Sequence, residues 1–269
     1  MLSFLLVLAP ASLVAPSMLL GDGVRERQKG KALPLLPSGK QLRVLTRDWS
    51  TAGTGGTVWT SAMAMCRWLA SNTDAIEGRA VLELGSGTGA AGLQAAGLGA
   101  RRVYLTDGGP EELVALLEHN VARNQHKFPD AAATVVPLRW GTDAAPDCPF
   151  DLVIGADVAY HADGRDALCV TLSEVLSRSA DGRRARAVLA HEHRAKEGSL
   201  EAFIDAAARH GMSTRSLHVE EGMVDDPLEA RAYAYKVSIV ECVLDMVHGA
   251  EASRSTGERA GPTAYVELI

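Results

Sequence analysis

Short apolar runs alternate with longer amphipathic segments along most of this chain. Runs rich in valine, leucine and isoleucine predict strands, and apolar residues three or four positions apart predict helices. The predicted strands cover residues 41–46, 81–84, 103–106, 134–138, 150–156, 185–190 and 234–244. The predicted helices cover residues 58–70, 90–98, 111–124, 167–177 and 200–210. Apolar strands that alternate with helices are typical of an α/β fold with a doubly wound, Rossmann-like parallel sheet.

The two ends of the chain depart from this pattern. We predict a leader or disordered arm and a linker over residues 1–40, one folded domain over residues 41–245, and a polar tail over residues 246–269. The first 20 residues are uncharged and include an apolar run like that of a secretory signal, but no basic residue precedes it. Prolines within this run argue against a membrane span. We expect a cytoplasmic protein, with a signal or organelle-targeting leader at residues 1–20 as the alternative.

The composition narrows the classes of function. The chain has 269 residues and a net charge of −6, which excludes binding of nucleic acid by bulk charge. The four cysteines have the spacing of neither a zinc site nor a disulfide framework, which fits a reducing compartment. We expect a monomer without a metal site.

A glycine-rich turn joins the strand at residues 81–84 to the helix that follows it. Gly85, Gly87 and Gly89 alternate, which lets the backbone turn sharply and leaves peptide N–H groups open to a ligand. Asp107 ends the next strand, 18 residues after Gly89, where a carboxylate can accept hydrogen bonds from the hydroxyls of a ribose. These residues together predict a site for a nucleoside cofactor.

The identity of that cofactor depends on an acid within the strand. The turn reads G-x-G-x-x-A from Gly85 and G-x-G-x-x-G from Gly87, so the glycines alone also suit a dinucleotide such as NAD. Glu83 lies inside an apolar strand, where its charge would repel a pyrophosphate and attract the sulfonium and ammonium groups of S-adenosylmethionine. Glu83 therefore favours the methyl donor. A glutamate that caps nearby backbone groups is the alternative.

The chemistry is expected where the strand order of such a sheet reverses, at the carboxyl ends of the strands. The strand at residues 150–156 ends opposite the glycine turn and is followed by Asp157 and Tyr160. A carboxylate and a phenol three positions apart can orient an amine for attack on a methyl group, with positioning as the main source of rate. The alternative is an aspartate that caps a turn and a tyrosine that packs in the core.

Two other clusters of polar residues are set aside. His191 and His193 share one face of a strand, but no third metal ligand is evident, so we predict the rim of the pocket here and no metal site. The basic segment at residues 183–186 is predicted to be a solvated loop. A contact with an acidic protein is the alternative for that segment.

Several motifs in a fixed order resemble lysine methyltransferase family 16, a family of seven-strand class I methyltransferases that includes the methyltransferase-like 21 group. The resemblance spans residues 54–244. It rests on G-T-V-W at residues 56–59, the glycine motif at 81–89, L-T-D at 105–107, the pair Asn120 and Asn124, L-R-W-G at 138–141, and a D-x-x-Y signature within 150–160. The resemblance implies a seven-strand sheet whose last strand is antiparallel.

The resemblance also implies S-adenosylmethionine as the cofactor and assigns roles to single residues. Asp157 and Tyr160 would flank the incoming nitrogen. The candidate cofactor contacts are Trp59 over the methionine end, Glu83 behind the turn, Gly85, Ser86, Gly87 and Gly89 in the turn, Asp107 at the ribose, Trp140 against the adenine and Ala156 in the floor. The chain departs from the family at Gly108 and Gly109, where a larger apolar residue is expected, and residues 217–231 match no family feature.

These observations predict an S-adenosylmethionine-dependent protein N-methyltransferase that acts on a lysine side chain of a protein substrate. The first alternative is methylation of another nitrogen, in arginine, histidine or a small-molecule amine. The second is an NAD(P)-dependent oxidoreductase that uses the G-x-G-x-x-G frame. The third is a binding module that keeps the fold without catalysis, against which the intact D-x-x-Y signature argues.

Overall fold

A seven-stranded sheet forms the centre of the computed structural model, which describes residues 30–178, 185–193, 198–217 and 237–245. A separate antiparallel hairpin precedes it and consists of β1 (Lys31–Leu35) and β2 (Gln41–Val44). The strands of the sheet are β3 (Ala80–Leu84), β4 (Arg102–Asp107), β5 (Ala132–Pro137), β6 (Leu152–Ala156), β7 (Arg186–Glu192), β8 (Met212–Leu217) and β9 (Val237–Leu244).

The strand order confirms the predicted doubly wound sheet. The order is β5-β4-β3-β6-β7-β9-β8. β9, the last strand among the described residues, runs antiparallel to β7 and β8, whereas the other neighbouring pairs of the sheet are parallel. The order reverses at β3, because β4 lies on one side of it and β6 on the other. The carboxyl ends of β3 and β6 therefore flank the crevice where such sheets bind ligands.

Helices cover both faces of the sheet and create two hydrophobic layers. They are α1 (Trp49–Ala52), α2 (Thr60–Ser71), α3 (Ala90–Gly97), α4 (Glu111–Asn124), α5 (Ala162–Ser177) and α6 (Ser199–Arg209). α2, α3 and α4 contribute to one layer, and α5 and α6 to the other. Side chains of β3 alternate between the layers, with Val81 toward α2 and α3 and Leu82 toward α5 and α6. Glu83 shares the face of Val81.

The structure corrects three details of the predicted secondary structure. Lys31–Leu35, predicted to be part of a linker, form β1 because Leu33 is buried in the core and the strand pairs with β2. Residues 51–57, which lie between the predicted elements, contain the end of α1 and a 3-10 turn at Gly53–Gly56. The sequence does not predict β8, because this strand contains no apolar run. Met212 is its one buried residue.

Several predicted features lie outside the described residues. They are the leader at residues 1–20, residues 183–184 of the basic segment, residues 218–231 and the tail at residues 246–269. Arg186, at the described end of the basic segment, lies in β7 and forms an ion pair with Glu241 at 2.7 Å, so it does not belong to a solvated loop. Within the described ranges, no helix has the length and apolar character required to cross a membrane.

Two asparagines of α4 attach the β1–β2 hairpin to the domain. Asn120 Oδ1 accepts a hydrogen bond from Leu45 N–H at 2.8 Å, and its Nδ2 donates to Leu45 O at 3.1 Å and to Thr88 O at 3.0 Å. Asn124 makes the same pair of bonds with the N–H and carbonyl of Arg43. A carboxamide offers a donor and an acceptor side by side, as a neighbouring strand would. Because Thr88 lies in the glycine turn, Asn120 also ties the hairpin to the predicted cofactor site.

We expect Asn120→Ala to lower the free energy of unfolding by about 3 kcal/mol, because it leaves buried backbone groups without partners. Asn72→Ala is the matched control, since it removes one part-buried bond from Asn72 Nδ2 to Trp68 O. This control should cost no more than about 1 kcal/mol. Urea unfolding followed by far-UV circular dichroism measures both variants. Equal unfolding midpoints for the two variants would contradict the role of Asn120.

Candidate active site

A cavity of about 570 Å³ opens at the carboxyl ends of β3 and β6. Its wall combines the glycine turn, the end of β4, the segment around α1 and the turn after β6. Ten of the eleven residues singled out in the sequence line it, namely Trp59, Glu83, Gly85, Ser86, Gly87, Asp107, Trp140, Ala156, Asp157 and Tyr160. The fold therefore brings the candidate cofactor contacts together in one cavity with Asp157 and Tyr160, the candidate residues for the methyl acceptor.

Two glycines of the turn occupy positions that require glycine. Gly85 has a φ of 65°, and a Cβ there would lie 2.7 Å from Val158 Cγ1. Gly87 has a φ of 52°, and a Cβ there would lie 2.7 Å from the carbonyl oxygen of Gly55. A left-handed backbone and a close neighbour together exclude other residues at both positions. The turn can pass close to a ligand for the same reason.

Gly89 contributes to the fold and lies outside the cavity wall. It precedes α3 with a φ of 81°, and a Cβ there would lie 2.6 Å from Leu117 Cδ1 of α4. Gly89 is absent from the residues that line the cavity. The predicted contact between Gly89 and a cofactor is therefore not supported by this geometry, and close packing on α4 explains the glycine.

The carboxylate of Asp107 holds the glycine turn in place. Its Oδ2 accepts a hydrogen bond from Gly87 N–H at 2.8 Å, and its Oδ1 accepts one from Gly109 N–H at 2.9 Å. The two glycines that depart from the family pattern have a steric reason, because a Cβ at Gly108 would lie 2.9 Å from Leu138 O. A Cβ at Gly109 would lie 3.1 Å from Asp107 Oδ1. Carboxylate oxygens have two lone pairs each, so Asp107 keeps acceptor capacity for a ligand.

Glu83 is a buried acid in the cavity wall. The residue is 3% exposed, and burial raises the pKa of its carboxyl group to about 8, because burial disfavours the charged form. The nearby Ser86 hydroxyl and the Gly92 N–H oppose this shift, and the charge of Asp107 adds to it. Gly92 packs directly on the acid, since a Cβ there would lie 2.5 Å from Glu83 Oε2.

The indole N–H of Trp140, in the cavity wall, has no hydrogen-bond partner among the described residues. Glu83 and Ser86 line the same cavity, and the serine hydroxyl interacts with the carboxyl group. Buried polar atoms are almost always paired, so the unpaired indole N–H indicates a ligand that supplies an acceptor. A ligand that fits would also carry a cationic or proton-donating group near Glu83.

Asp157 and Tyr160 lie in the turn that follows β6. Among the described residues, Asp157 is the one residue other than glycine with a positive φ, 57°, and its N–H donates to Ala190 O at 2.7 Å. Arg165 Nε donates to Ala159 O at 2.9 Å, and Arg165 Nη2 donates to Tyr160 O at 3.3 Å. Asp157 is 7% exposed and Tyr160 is 37% exposed. A strained backbone held by bonds on both sides is typical of a functional turn.

The cavity also contains residues that the sequence analysis did not single out. Trp49 is 63% exposed and meets Trp59 edge to face, with the ring centroids 6.5 Å apart. Thr54 O accepts a hydrogen bond from Trp59 Nε1 at 3.0 Å. A lone tryptophan in the polar run at residues 46–50 is the signal that could have indicated Trp49. No signal in the sequence indicates Thr54.

The histidines at the end of β7 form hydrogen bonds with neighbouring serines. His191 Nε2 lies 2.8 Å from Ser199 Oγ, and His193 Nε2 lies 2.7 Å from Ser238 Oγ. Neither histidine lines the cavity. In the part of the chain that the structure describes, no group of three or more His, Cys, Asp or Glu side chains is arranged to hold a metal ion.

Comparisons with known proteins connect this geometry to a family. A family model described as lysine methyltransferase matches residues 38–209. Protein N-lysine methyltransferase METTL21A of Danio rerio is 36% identical over 137 residues, which are 49% of this chain and 61% of that protein. EEF1A lysine methyltransferase 3 of Mus musculus is 31% identical over 199 residues, which are 72% of this chain and 78% of that protein. The chain spans 53–62% of the length of the METTL21A relatives from three organisms.

Further matches extend the comparison to a fungal protein and to a solved structure. Protein N-terminal and lysine N-methyltransferase EFM7 of Eremothecium gossypii is 30% identical over 200 residues, which are 67% of this chain and 74% of that protein. The crystal structure of a methyltransferase from Pyrococcus furiosus has the same fold, with a TM-score of 0.51, 16% identity and coverage of 76% of this chain and 90% of that one. Because the family model and the mouse relative both match most of its length, the chain belongs to the lysine methyltransferase family.

Proposed function

We propose that this protein transfers a methyl group from S-adenosylmethionine to the ε-amine of a lysine in a protein substrate. The observation that carries the proposal is that one cavity holds the glycine turn with its buried Glu83 and also the pair Asp157 and Tyr160. Methyl transfer requires the donor and the acceptor to be in line at one place. A site with donor-side and acceptor-side groups in one space meets this requirement.

The cavity wall fits S-adenosylmethionine better than a dinucleotide. The carboxyl group of Glu83 suits a ligand with cationic groups, which favour its charged form, whereas a pyrophosphate would oppose its ionisation. Trp140 Nε1 offers an unpaired donor to the ligand. The residues that would hold it are Trp59 and Glu83 at the methionine end, Gly85, Ser86 and Gly87 through the turn, Asp107 at the ribose, Trp140 at the adenine and Ala156 in the floor.

The acceptor side is assigned to Asp157 and Tyr160. When bound, the cofactor supplies an electrophilic methyl group. The lysine amine must arrive without its extra proton, since an ammonium group has no lone pair for attack on carbon. Asp157 accepts hydrogen bonds from the nitrogen, directs its lone pair into the cavity and accepts its proton as a general base. Tyr160, at the cavity mouth, presents its ring to the alkyl stem and its hydroxyl to the nitrogen.

The names of two relatives suggest which acceptors to test first. EEF1A lysine methyltransferase 3 is named for EEF1A, and EFM7 is named as a methyltransferase of both lysines and protein N-termini. EEF1A is therefore the first protein acceptor to test, and an N-terminal α-amine is a second candidate nitrogen. The lysine ε-amine and the α-amine are both primary amines, so the same pair of residues can orient either one.

Cofactor identity is tested by titration calorimetry of the purified full chain with S-adenosylhomocysteine, with NAD⁺ as the matched control. Micromolar binding of the first ligand and none of the second supports the proposal. The reverse result would favour the oxidoreductase alternative.

Acceptor identity is tested with tritiated S-adenosylmethionine. EEF1A and a dialysed cell lysate serve as acceptors, and amino-acid analysis follows on the labelled protein. Label in methyllysine supports the proposal. Label in methylarginine or methylhistidine would move the function to another nitrogen, and no label despite cofactor binding would favour a binding module.

We also propose that the protein works as a monomer in the cytoplasm. The net charge of −6 and the absence of cysteines in a disulfide-framework spacing support this setting. Light scattering of the purified protein measures the oligomeric state. A carboxy-terminal fluorescent fusion reports the compartment, and a secreted or organelle signal would instead support a leader at residues 1–20.

The raised pKa of Glu83 links stability and cofactor binding to pH. The folded protein holds a proton with a pKa of about 8, whereas the unfolded value is 4.5. The contribution of Glu83 to stability is therefore complete below pH 4.5 and is lost as the pH rises to 8, by up to about 1.4 kcal/mol for each pH unit. A ligand ammonium group favours the charged carboxylate. The affinity for S-adenosylhomocysteine should therefore rise over the same interval.

We expect Glu83→Gln to weaken S-adenosylhomocysteine binding about tenfold at alkaline pH and to remove its pH dependence, because the amide carries no charge at any pH. The same variant should melt at a higher temperature than the wild-type protein, with a larger difference at about pH 8.5 than at about pH 6. Calorimetry and thermal melts at both pH values measure these effects. Glu118→Gln, an exposed change on α4, is the control. Identical pH profiles for wild-type and Glu83→Gln proteins would contradict the assignment.

A further inference from the structure

The segment at residues 49–56 crosses the cavity between its cofactor side and its acceptor side. Gly55 O presses on the glycine turn so closely that a Cβ at Gly87 would lie 2.7 Å from it. Gly56 O accepts a hydrogen bond from Arg47 N–H at 2.9 Å. Contacts of the backbone itself therefore fix the path of this segment over the cavity.

Thr54 lies within this segment and forms hydrogen bonds with a residue on each side of the cavity. Its carbonyl oxygen accepts the hydrogen bond from Trp59 Nε1 at 3.0 Å, on the proposed cofactor side. Its hydroxyl oxygen lies 3.3 Å from the hydroxyl oxygen of Tyr160, on the proposed acceptor side. The two residues of this second bond are 106 positions apart in the chain, so the bond joins separate parts of the site.

We propose that Thr54 is a positioning residue, which fixes the phenol of Tyr160 beside the methyl acceptor. The inference rests on the proposed function, because an acceptor site is what requires the phenol to be placed. The ring of Tyr160 meets His161 edge to face, and the bond from Thr54 adds a restraint at the hydroxyl end of the side chain. Misplacement of a guiding group by about 1 Å lowers the rate of an in-line transfer. The β-branched threonine restricts its own χ1, so it holds its hydroxyl more firmly than serine would.

Sinefungin tests this inference without a protein substrate. In this cofactor analogue, a carbon that bears an amine replaces the sulfonium that bears the methyl group, so the amine extends toward the acceptor side. Thr54→Val keeps the shape of the side chain and removes its hydroxyl, and Thr54→Ser restores the hydroxyl. We expect Thr54→Val to bind sinefungin about fivefold more weakly, the effect of one neutral hydrogen bond, and S-adenosylhomocysteine within about twofold of wild type. Thr54→Ser should stay within about twofold for both ligands.

Two further variants make the test specific. Tyr160→Phe should cost at least as much sinefungin affinity, and the addition of Thr54→Val to it should cause no further loss, because Thr54 acts through the Tyr160 hydroxyl. Thr51→Val is the matched control, since it is the same chemical change on the same segment outside the cavity wall. In tritium-transfer assays, Thr54→Val should lower kcat about fivefold and leave the KM for S-adenosylmethionine unchanged.

The possible outcomes separate this inference from the proposal on which it rests. Equal losses for sinefungin and S-adenosylhomocysteine in Thr54→Val would overturn it, because the residue would then support the cofactor side through Trp59. Unchanged affinity for both ligands together with an unchanged kcat would also overturn it. Failure of the wild-type protein to bind S-adenosylhomocysteine would reject the proposed function itself, and the role of Thr54 with it.

Discussion

Asp157→Asn should reduce the rate of methyl transfer about a thousandfold and leave the affinity for S-adenosylhomocysteine within about twofold. The variant removes the carboxylate that orients the acceptor nitrogen and accepts its proton. It keeps the size of the side chain in a site that is 7% exposed. Asparagine also tolerates the φ of 57° at this position, so the turn after β6 keeps its path. Single-turnover transfer of a tritiated methyl group measures the rate, and calorimetry measures the affinity.

Two more variants locate the effect in the carboxylate. Asp157→Ala should be equally inactive, and its melting temperature should fall further, because alanine disfavours a left-handed backbone. Asp163→Asn removes an exposed carboxylate in the first turn of α5, outside the cavity wall, and should retain full activity. Normal turnover by Asp157→Asn would remove the residue from the acceptor site.

Asp107→Ala should weaken the binding of S-adenosylhomocysteine at least about a hundredfold. The variant loses the proposed contacts with the ribose hydroxyls. It also releases Gly87 N–H and Gly109 N–H, which the carboxylate now holds at 2.8 and 2.9 Å. The glycine turn would then pass through several conformations, and the ligand would have to order it. Asp107→Asn keeps one acceptor oxygen, so its loss should be intermediate. Calorimetry with S-adenosylhomocysteine ranks the three proteins.

Asp151→Ala is the matched control for this loss. Asp151 Oδ2 accepts a hydrogen bond from Ala80 N–H at 2.9 Å. This bond also joins a carboxylate to a backbone N–H of a neighbouring segment, but it lies at the amino ends of β3 and β6, away from the cavity. Its removal should lower stability by about 1 kcal/mol and leave ligand affinity unchanged. A weakened affinity in this control would mean that the effect of Asp107→Ala comes from general destabilisation.

The donor side of the site could be predicted because it is local in sequence. β3 is apolar throughout except for Glu83, and the glycines follow it directly, so one short stretch contains the strand, the acid and the turn. The sequence could not distinguish the glycines from one another. Gly87 faces the cavity, whereas Gly89 packs on Leu117 of α4, and that difference depends on a helix almost 30 residues away.

The roles of Thr54 and β1 could not be predicted because they depend on contacts between distant segments. Thr54 gains its position from Trp59 and Tyr160, and the second of these is distant in the chain. β1 exists because its partner β2 is bonded to α4, with Asn120 and Leu45 separated by 75 positions. Neither bond leaves a periodic pattern in the sequence, and periodicity is the signal on which secondary structure prediction depends.

The β1–β2 hairpin also sets a limit on how far the protein can be shortened for crystallisation or assay. A fragment cut to the family match at residues 38–209 would lose β1, β8 and β9. Loss of β1 would remove the buried Leu33 and Leu36 and expose the apolar surface of α2 and α3 that they cover. Loss of β9 would turn β7, a buried central strand, into an unprotected edge that can pair with other chains. Such a fragment should aggregate, so a fragment for crystallisation or assay must include both β1 and β9, from Lys31 to Leu244.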